Sequence, residues 1–180
     1  MSSLLQHNKN KDLNSFVLRI IDECQTIKQK RLKLLLFLGE TIYMQKTNGS
    51  TMGDGFYQFD TGIWSTEIDD LIDSELPNKK LITVENEFVP PYREPVTQIT
   101  KQPNELTNDA YNYEHETSEL ASIVVDATMN KSMTELKFWF DHSVLGSKHN
   151  TGDGLTQGVI KWYVNGVSNN EIIPEWSKLI

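Results

Sequence analysis

Cysteine is nearly absent: Cys24 is the only one in 180 residues, which excludes an intrachain disulfide and a cysteine-cluster zinc site. Long apolar runs are missing too. The longest, LLLFL at 34–38, falls far short of the roughly 20 residues a membrane-spanning helix needs, and the opening MSSLLQHNKNKDL has no apolar core of a signal peptide. The expectation is a cytoplasmic protein with no membrane association. Neither a Gly-x-Gly-x-x-Gly fingerprint nor a Walker pattern is present, and TGDGLTQG has glycines without the lysine that would hold phosphates. Positive charge is sparse beyond residue 53. Residues 1–53 hold eight of the 17 Lys and Arg and four of the 25 acids, leaving nine against twenty-one over 54–180. This asymmetry argues against general nucleic-acid binding and suits a basic front beside an acidic body.

What is present fits one mainly α domain of α+β type, a compact helical body with a small antiparallel β element. The length and the 38% hydrophobic content suffice for one core. Residues 1–11 read as a flexible polar lead, and 12–180 as the domain. A first helix starts near Asp12 or Asn14, with Phe16, Val17, Ile20, Ile21, Cys24 and Ile27 on one stripe. A second helix carries Leu32, Leu35, Leu36, Gly39, Ile42 and Tyr43 at helical spacing. Leu34, Phe37 and Leu38 widen its apolar arc enough for burial on two sides, marking it as the central helix.

TNGSTMGDG then reads as a turn, FYQF as a short strand and Gly62 as a bend. Ser65 stands as N-cap before a helix with Ile68, Leu71 and Ile72 on one face and acids in its first turn. KKLITVENEFVPPY supplies one or two strands before Pro90 and Pro91 break the pattern. Residues 90–116, rich in Pro, Asn, Gln and Thr, read as a long connector. Helical periodicity returns at SELASIVVDATMN, and a last helix is expected over Ser132–Leu145 with Ser132 as its cap. GSKHNTGDGLTQG reads as a glycine-rich loop, and the tail through Trp176 and Leu179 as a segment able to dock on the body.

Residue types that carry covalent chemistry are thinly spread. Cys24 lies on an apolar stripe, where a buried neutral thiol is the ordinary outcome, and Ser65 in GIWST lacks the last glycine of a nucleophile elbow. His142 and His149 with Asp141 and Asp153 form the one cluster worth testing for a metal, but their spacing matches no ligand motif. The expectation is therefore no catalytic residue, no metal and no cofactor.

The run RLKLLLFLGE followed by FYQFDTGIWSTEIDDLIDSELPNKKLI resembles the Panacea, or SocA-like, domain family. Leu32, Lys33, Leu35, Leu36 and Phe37 match its helix signature, and Tyr57, Phe59, Gly62, Trp64, Ser65 and Glu67 its aromatic strand, bend and following helix. MTELKFWFDHSV resembles a later helix of the family. The sequence departs from the pattern at Ile63, where proline is usual, and before Phe37, where tyrosine is usual. The resemblance implies a non-enzymatic antitoxin or adaptor, of the kind encoded on phages and other mobile elements, that neutralises a toxin or defence enzyme by binding it or delivers it to a protease.

Two candidate surfaces follow. Tyr57, Phe59 and Trp64 with the acids Glu67, Asp70 and Asp73 form a candidate protein interface, in which Trp64 is either an anchor for the partner or a plug between helices. The second is Lys28, Lys30, Arg31 and Lys33, four cations in six residues, which would contact nucleic acid if the chain were a winged-helix-like regulator.

Overall fold

The computed structural model describes residues 2–47, 50–53, 55–88, 95–103, 115–141, 152 and 154–155, with side chains from residue 11 onward apart from Gln45, His115 and Leu155. Helix α1 spans Ser2–Cys24, β1 Thr26–Lys28 and α2 Gln29–Lys46. The backbone is thus already helical over the stretch expected to be a flexible lead, and Asp12 and Asn14 lie inside α1 instead of capping it. Extending a helix costs far less than starting one. Asp12 also has another task, accepting a hydrogen bond from the Tyr43 hydroxyl at 3.0 Å. Phe16, Val17, Ile20 and Ile21 are buried, as their spacing predicts, and Leu13 is buried with them.

The helix ends where Gln25 takes φ 59, a left-handed conformation that turns the chain out of α1, while its N–H still reaches Ile21 O at 3.0 Å. Ile27, expected on the helical stripe, is therefore buried from a strand.

Helix α2 is the central element expected. Its residues from Leu34 to Ile42 are all buried, Glu40 and Thr41 among them. The Thr41 hydroxyl returns to Phe37 O at 2.8 Å, and both Glu40 carboxylate oxygens accept the Met52 N–H, at 3.1 and 3.2 Å, tying down the chain after α2. Gly39 is the notch of the α1–α2 contact, because a Cβ there would lie 2.0 Å from Phe16 Cζ.

Strands β2 (Phe56–Phe59) and β3 (Gly62–Ser65) form a hairpin, with Asp60 and Thr61 as the turn. The FYQF strand is as expected, but Gly62 opens a strand and does not bend away. It has φ +120, and a Cβ on it would stand 2.4 Å from Lys33 O, so β3 rests on the backbone of α2 itself. Strand β6 (Gly154–Leu155) pairs with the other side of β2, and Gly152 N–H reaches Gln58 O at 2.6 Å. Part of the expected glycine loop thus completes a sheet ordered β3-β2-β6. A two-residue strand has no alternation to read.

After β3 come α3 (Thr66–Asp70), a π-helical turn (Leu71–Glu75) and α4 (Leu76–Asn78) in one continuous helical run. The wide turn precedes Pro77, whose ring would meet the Asp73 carbonyl in a regular helix. Strands β4 (Ile82–Glu87) and β5 (Val96–Lys101) join β1 in a second antiparallel sheet of order β1-β5-β4. Strand β5 corrects the expectation of a connector over 90–116. Of its residues only Ile99 is fully buried, so it lacks the apolar alternation that marks a strand.

Helix α5 (His115–Thr128) begins three residues before the expected pattern and packs along α1. Helix α6 (Met133–Asp141) starts with Ser132 as cap: its hydroxyl accepts the Glu135 N–H at 3.2 Å, and Glu135 answers by accepting the Ser132 N–H at 2.7 Å. This holds the Glu135 carboxyl below its ordinary range, the Ser132 N–H being the main cause. Phe140 meets Phe37 edge to face at 5.0 Å between ring centres. The expected end of this helix at Leu145, His142, His149, Asp153 and the tail lie outside the described residues. The fold is mainly α with small antiparallel sheets, and no described helix is long and apolar enough to cross a membrane.

Two stability outcomes follow. Gly39→Ala should lower the urea midpoint without changing the slope, at a cost of about 1–3 kcal/mol, and Phe16→Leu in the same chain should return part of it; strictly additive losses would mean the Phe16 ring is not what the methyl meets. The second concerns alkali. Burial first, and Asp12 second, push the Tyr43 hydroxyl well above its usual range. Its contribution is therefore complete below the unfolded pKa of about 10 and declines as pH rises beyond it. Melting curves at rising pH should show a smaller alkaline loss for Tyr43→Phe than for the parent chain.

Candidate protein-interaction face

The β2–β3 register brings the aromatic residues together. Tyr57 is opposite Trp64 and Phe59 opposite Gly62, and directly opposed residues of an antiparallel pair share a face. The alternate residues Phe56, Gln58, Ile63 and Ser65 take the other face and are all buried. Lys33 reaches over the aromatic face from α2, with its Nζ 3.7 Å from the Phe59 ring centre and 5.3 Å from that of Trp64, a cation–π arrangement. The Trp64 indole N–H donates to Asp69 Oδ1 at 2.5 Å, linking the hairpin to α3. Ser65 is the N-cap expected, its hydroxyl accepting the Ile68 N–H at 3.4 Å.

These contacts divide the candidate interface. Trp64 is only 4% exposed, which favours the plug over the anchor, because β3 is covered on both sides. Phe59 and Glu67 are half-buried. Tyr57, 39% exposed at the rim, and Asp70 and Asp73 on the helical run are accessible to a partner. Partial desolvation, then the nearby Asp69, pushes the Asp73 carboxyl up from its ordinary range. Tyr57 is thus the cross-strand neighbour of Trp64, and Trp64 is bonded to Asp69 on the helical run that also carries Asp73. The sequence places Asp69 among the acids of the helix after the bend, but not as the partner of Trp64, a role that depends on where the indole nitrogen points.

The basic cluster does not form one surface. Lys28 and Lys30 are exposed, but Arg31 turns inward and donates to Lys131 O at 2.9 Å and Thr128 O at 2.6 Å, satisfying carbonyls at the end of α5. Lys33 lies on the aromatic rings. Arg31 and Lys33, both expected to meet phosphate, are thus engaged within the protein, because a helix this deeply buried points side chains at neighbouring elements.

Cys24 is half-buried, and burial raises its thiol above the usual range against the opposing pull of Arg31, which keeps it protonated near neutrality. Asp141 pairs with Lys137 at 2.8 Å. Among the described residues no three His, Cys, Asp or Glu side chains gather as a metal site would require.

Arg31→Ala should therefore destabilise the fold by about 2 kcal/mol, since two charged, part-buried hydrogen bonds to backbone carbonyls are lost, with partial recovery in Arg31→Lys. Lys28→Ala with Lys30→Ala should stay within about 0.5 kcal/mol of the parent. Chemical denaturation distinguishes them, and equal small effects would return Arg31 to the surface.

Set beside known protein families, curated proteins and solved structures, the chain matches none.

Proposed function

We propose that this protein is a non-enzymatic binding protein of antitoxin or adaptor type that holds another protein against the face rimmed by Tyr57, Asp70 and Asp73. The observation that carries the reading is the setting of Tyr57. It is an exposed aromatic side chain beside rings fixed by Lys33 and by the Trp64–Asp69 hydrogen bond, so little freedom is lost when a partner covers it. The neighbouring acids give that face a sign, and a partner with a basic surface would be steered toward it. The resemblance to the Panacea family supplies the class of partner: a toxin, a defence enzyme or a protease.

The topology gives some support to the winged-helix alternative. A winged helix also orders helix, strand, two helices and two strands, with its first strand beside its last, and the order β1-β5-β4 fits that pattern with the β2–β3 hairpin inserted. The helical run 66–78 would then occupy the position of the recognition helix. It carries Glu67, Asp69, Asp70, Asp73 and Glu75, which repel phosphate. The arrangement is better suited to a basic protein than to DNA.

The test is capture of partners by the tagged full chain in its host, with and without nuclease. The expected result is a stoichiometric, nuclease-resistant protein that is lost on Tyr57→Ala or on Asp70→Lys with Asp73→Lys, while melting temperatures stay unchanged. Recovery only through nucleic acid would overturn the proposal in favour of a regulator.

A further inference from the structure

Strand β4 lies at the edge of its sheet, and β5 is its one strand neighbour among the described residues. The hydrogen bond from Gln102 N–H to Leu81 O, 2.8 Å, marks that pair as bonded. Bonded and non-bonded pairs alternate in an antiparallel ladder. Thr83, Glu85 and Glu87 therefore spend their main-chain groups on β5, whereas those of Ile82, Val84 and Asn86 are directed outward. Strand β5 bears out the alternation from its other side, where Lys101 N–H turns to Gln25 O at 2.7 Å. Ile82 is buried, but Val84 is half-buried and Asn86 exposed, so the outer half of this edge is accessible.

The side chains along this edge also alternate in chemistry. Glu85 and Glu87 are exposed on the face turned away from the core. Val84 is on the opposite face, and Phe88, continuing the alternation, follows on that side with 71% of its surface exposed. The ribbon has run past the core here: β1 is only three residues long and its pairing with β5 stops at Gln98, leaving Val96 and Thr97 beyond it.

We infer that β4 receives an extended segment of a partner protein as a fourth strand, one in which Lys or Arg alternates with apolar residues. This rests on the protein-binding reading above and adds a second contact to it. Such a segment would bond to the main chain of Val84 and Asn86, set its basic side chains beside Glu85 and Glu87, and lay its apolar ones along Val84 and Phe88. The same two glutamates discriminate against a second copy of this chain, whose β4 would bring like charges together.

The probe is an octapeptide of alternating Lys and Val added to the full-length protein, followed by amide exchange and fluorescence anisotropy. Binding should slow exchange at Val84 and Asn86 and leave Thr83, Glu85 and Glu87, already bonded to β5, little changed. Glu85→Lys with Glu87→Lys should weaken it by about tenfold or more and admit a Glu-Val octapeptide in its place. The same Lys-Val peptide with every backbone nitrogen methylated should not bind. Failure to bind, binding that leaves Val84 and Asn86 unprotected, or equal binding of the methylated peptide would overturn the inference. The host partner separates this failure from that of the underlying reading: a partner kept by the Glu85 and Glu87 double variant but lost on Tyr57→Ala removes the edge and leaves the Tyr57 face, whereas no protein partner with either removes both.

Discussion

The hairpin can sit on the central helix only because residue 62 has no side chain. A Cβ on Gly62 would stand 2.4 Å from Lys33 O and 2.9 Å from Leu34 N, a conflict with backbone that no rotamer change relieves. That approach sets the height of β3 over α2, which in turn brings the Phe59 and Trp64 rings within reach of Lys33. From there the Trp64 indole fixes α3 through Asp69, and the Ser65 cap sets where that helix starts. The other side of α2 repeats the logic with Gly39, where the missing side chain admits the Phe16 ring of α1. The two glycines let α2 be covered closely on both sides, which is why its apolar arc is so wide.

Local rules carried the sequence reading where local interactions decide. The Ser65 and Ser132 caps depend on residues three positions away and were legible. So were the buried faces of α1 and α2, because period and burial agree there. What was not legible depends on distant partners. Strand β5 exists because β1 and β4 flank it, and β6 because β2 offers an edge. Arg31 looks like a surface cation until the end of α5 is brought to it, nearly a hundred positions along the chain. Trp64 reads equally as anchor or plug until its strand is seen to be covered on both faces. The family resemblance read from the stretch over α2 and the hairpin carries no information about which of its residues remain accessible.

The consequence for function is a division of labour within one side-chain set. Lys33, Phe59, Trp64 and Asp69 hold one another, and their polar groups are engaged inside the protein. Tyr57, Asp70 and Asp73 lie outside that set and are exposed. Under the proposed reading these exposed aromatic and acidic side chains are the recognition surface, and the acids of the helical run suit a basic protein better than nucleic acid.

Exchange mass spectrometry of the chain alone and with its captured partner tests this most directly. The account predicts protection over 56–59 and 66–75, with residues 28–33 unchanged. Protection confined to 28–33, with the hairpin and the acidic run unaffected, would contradict it.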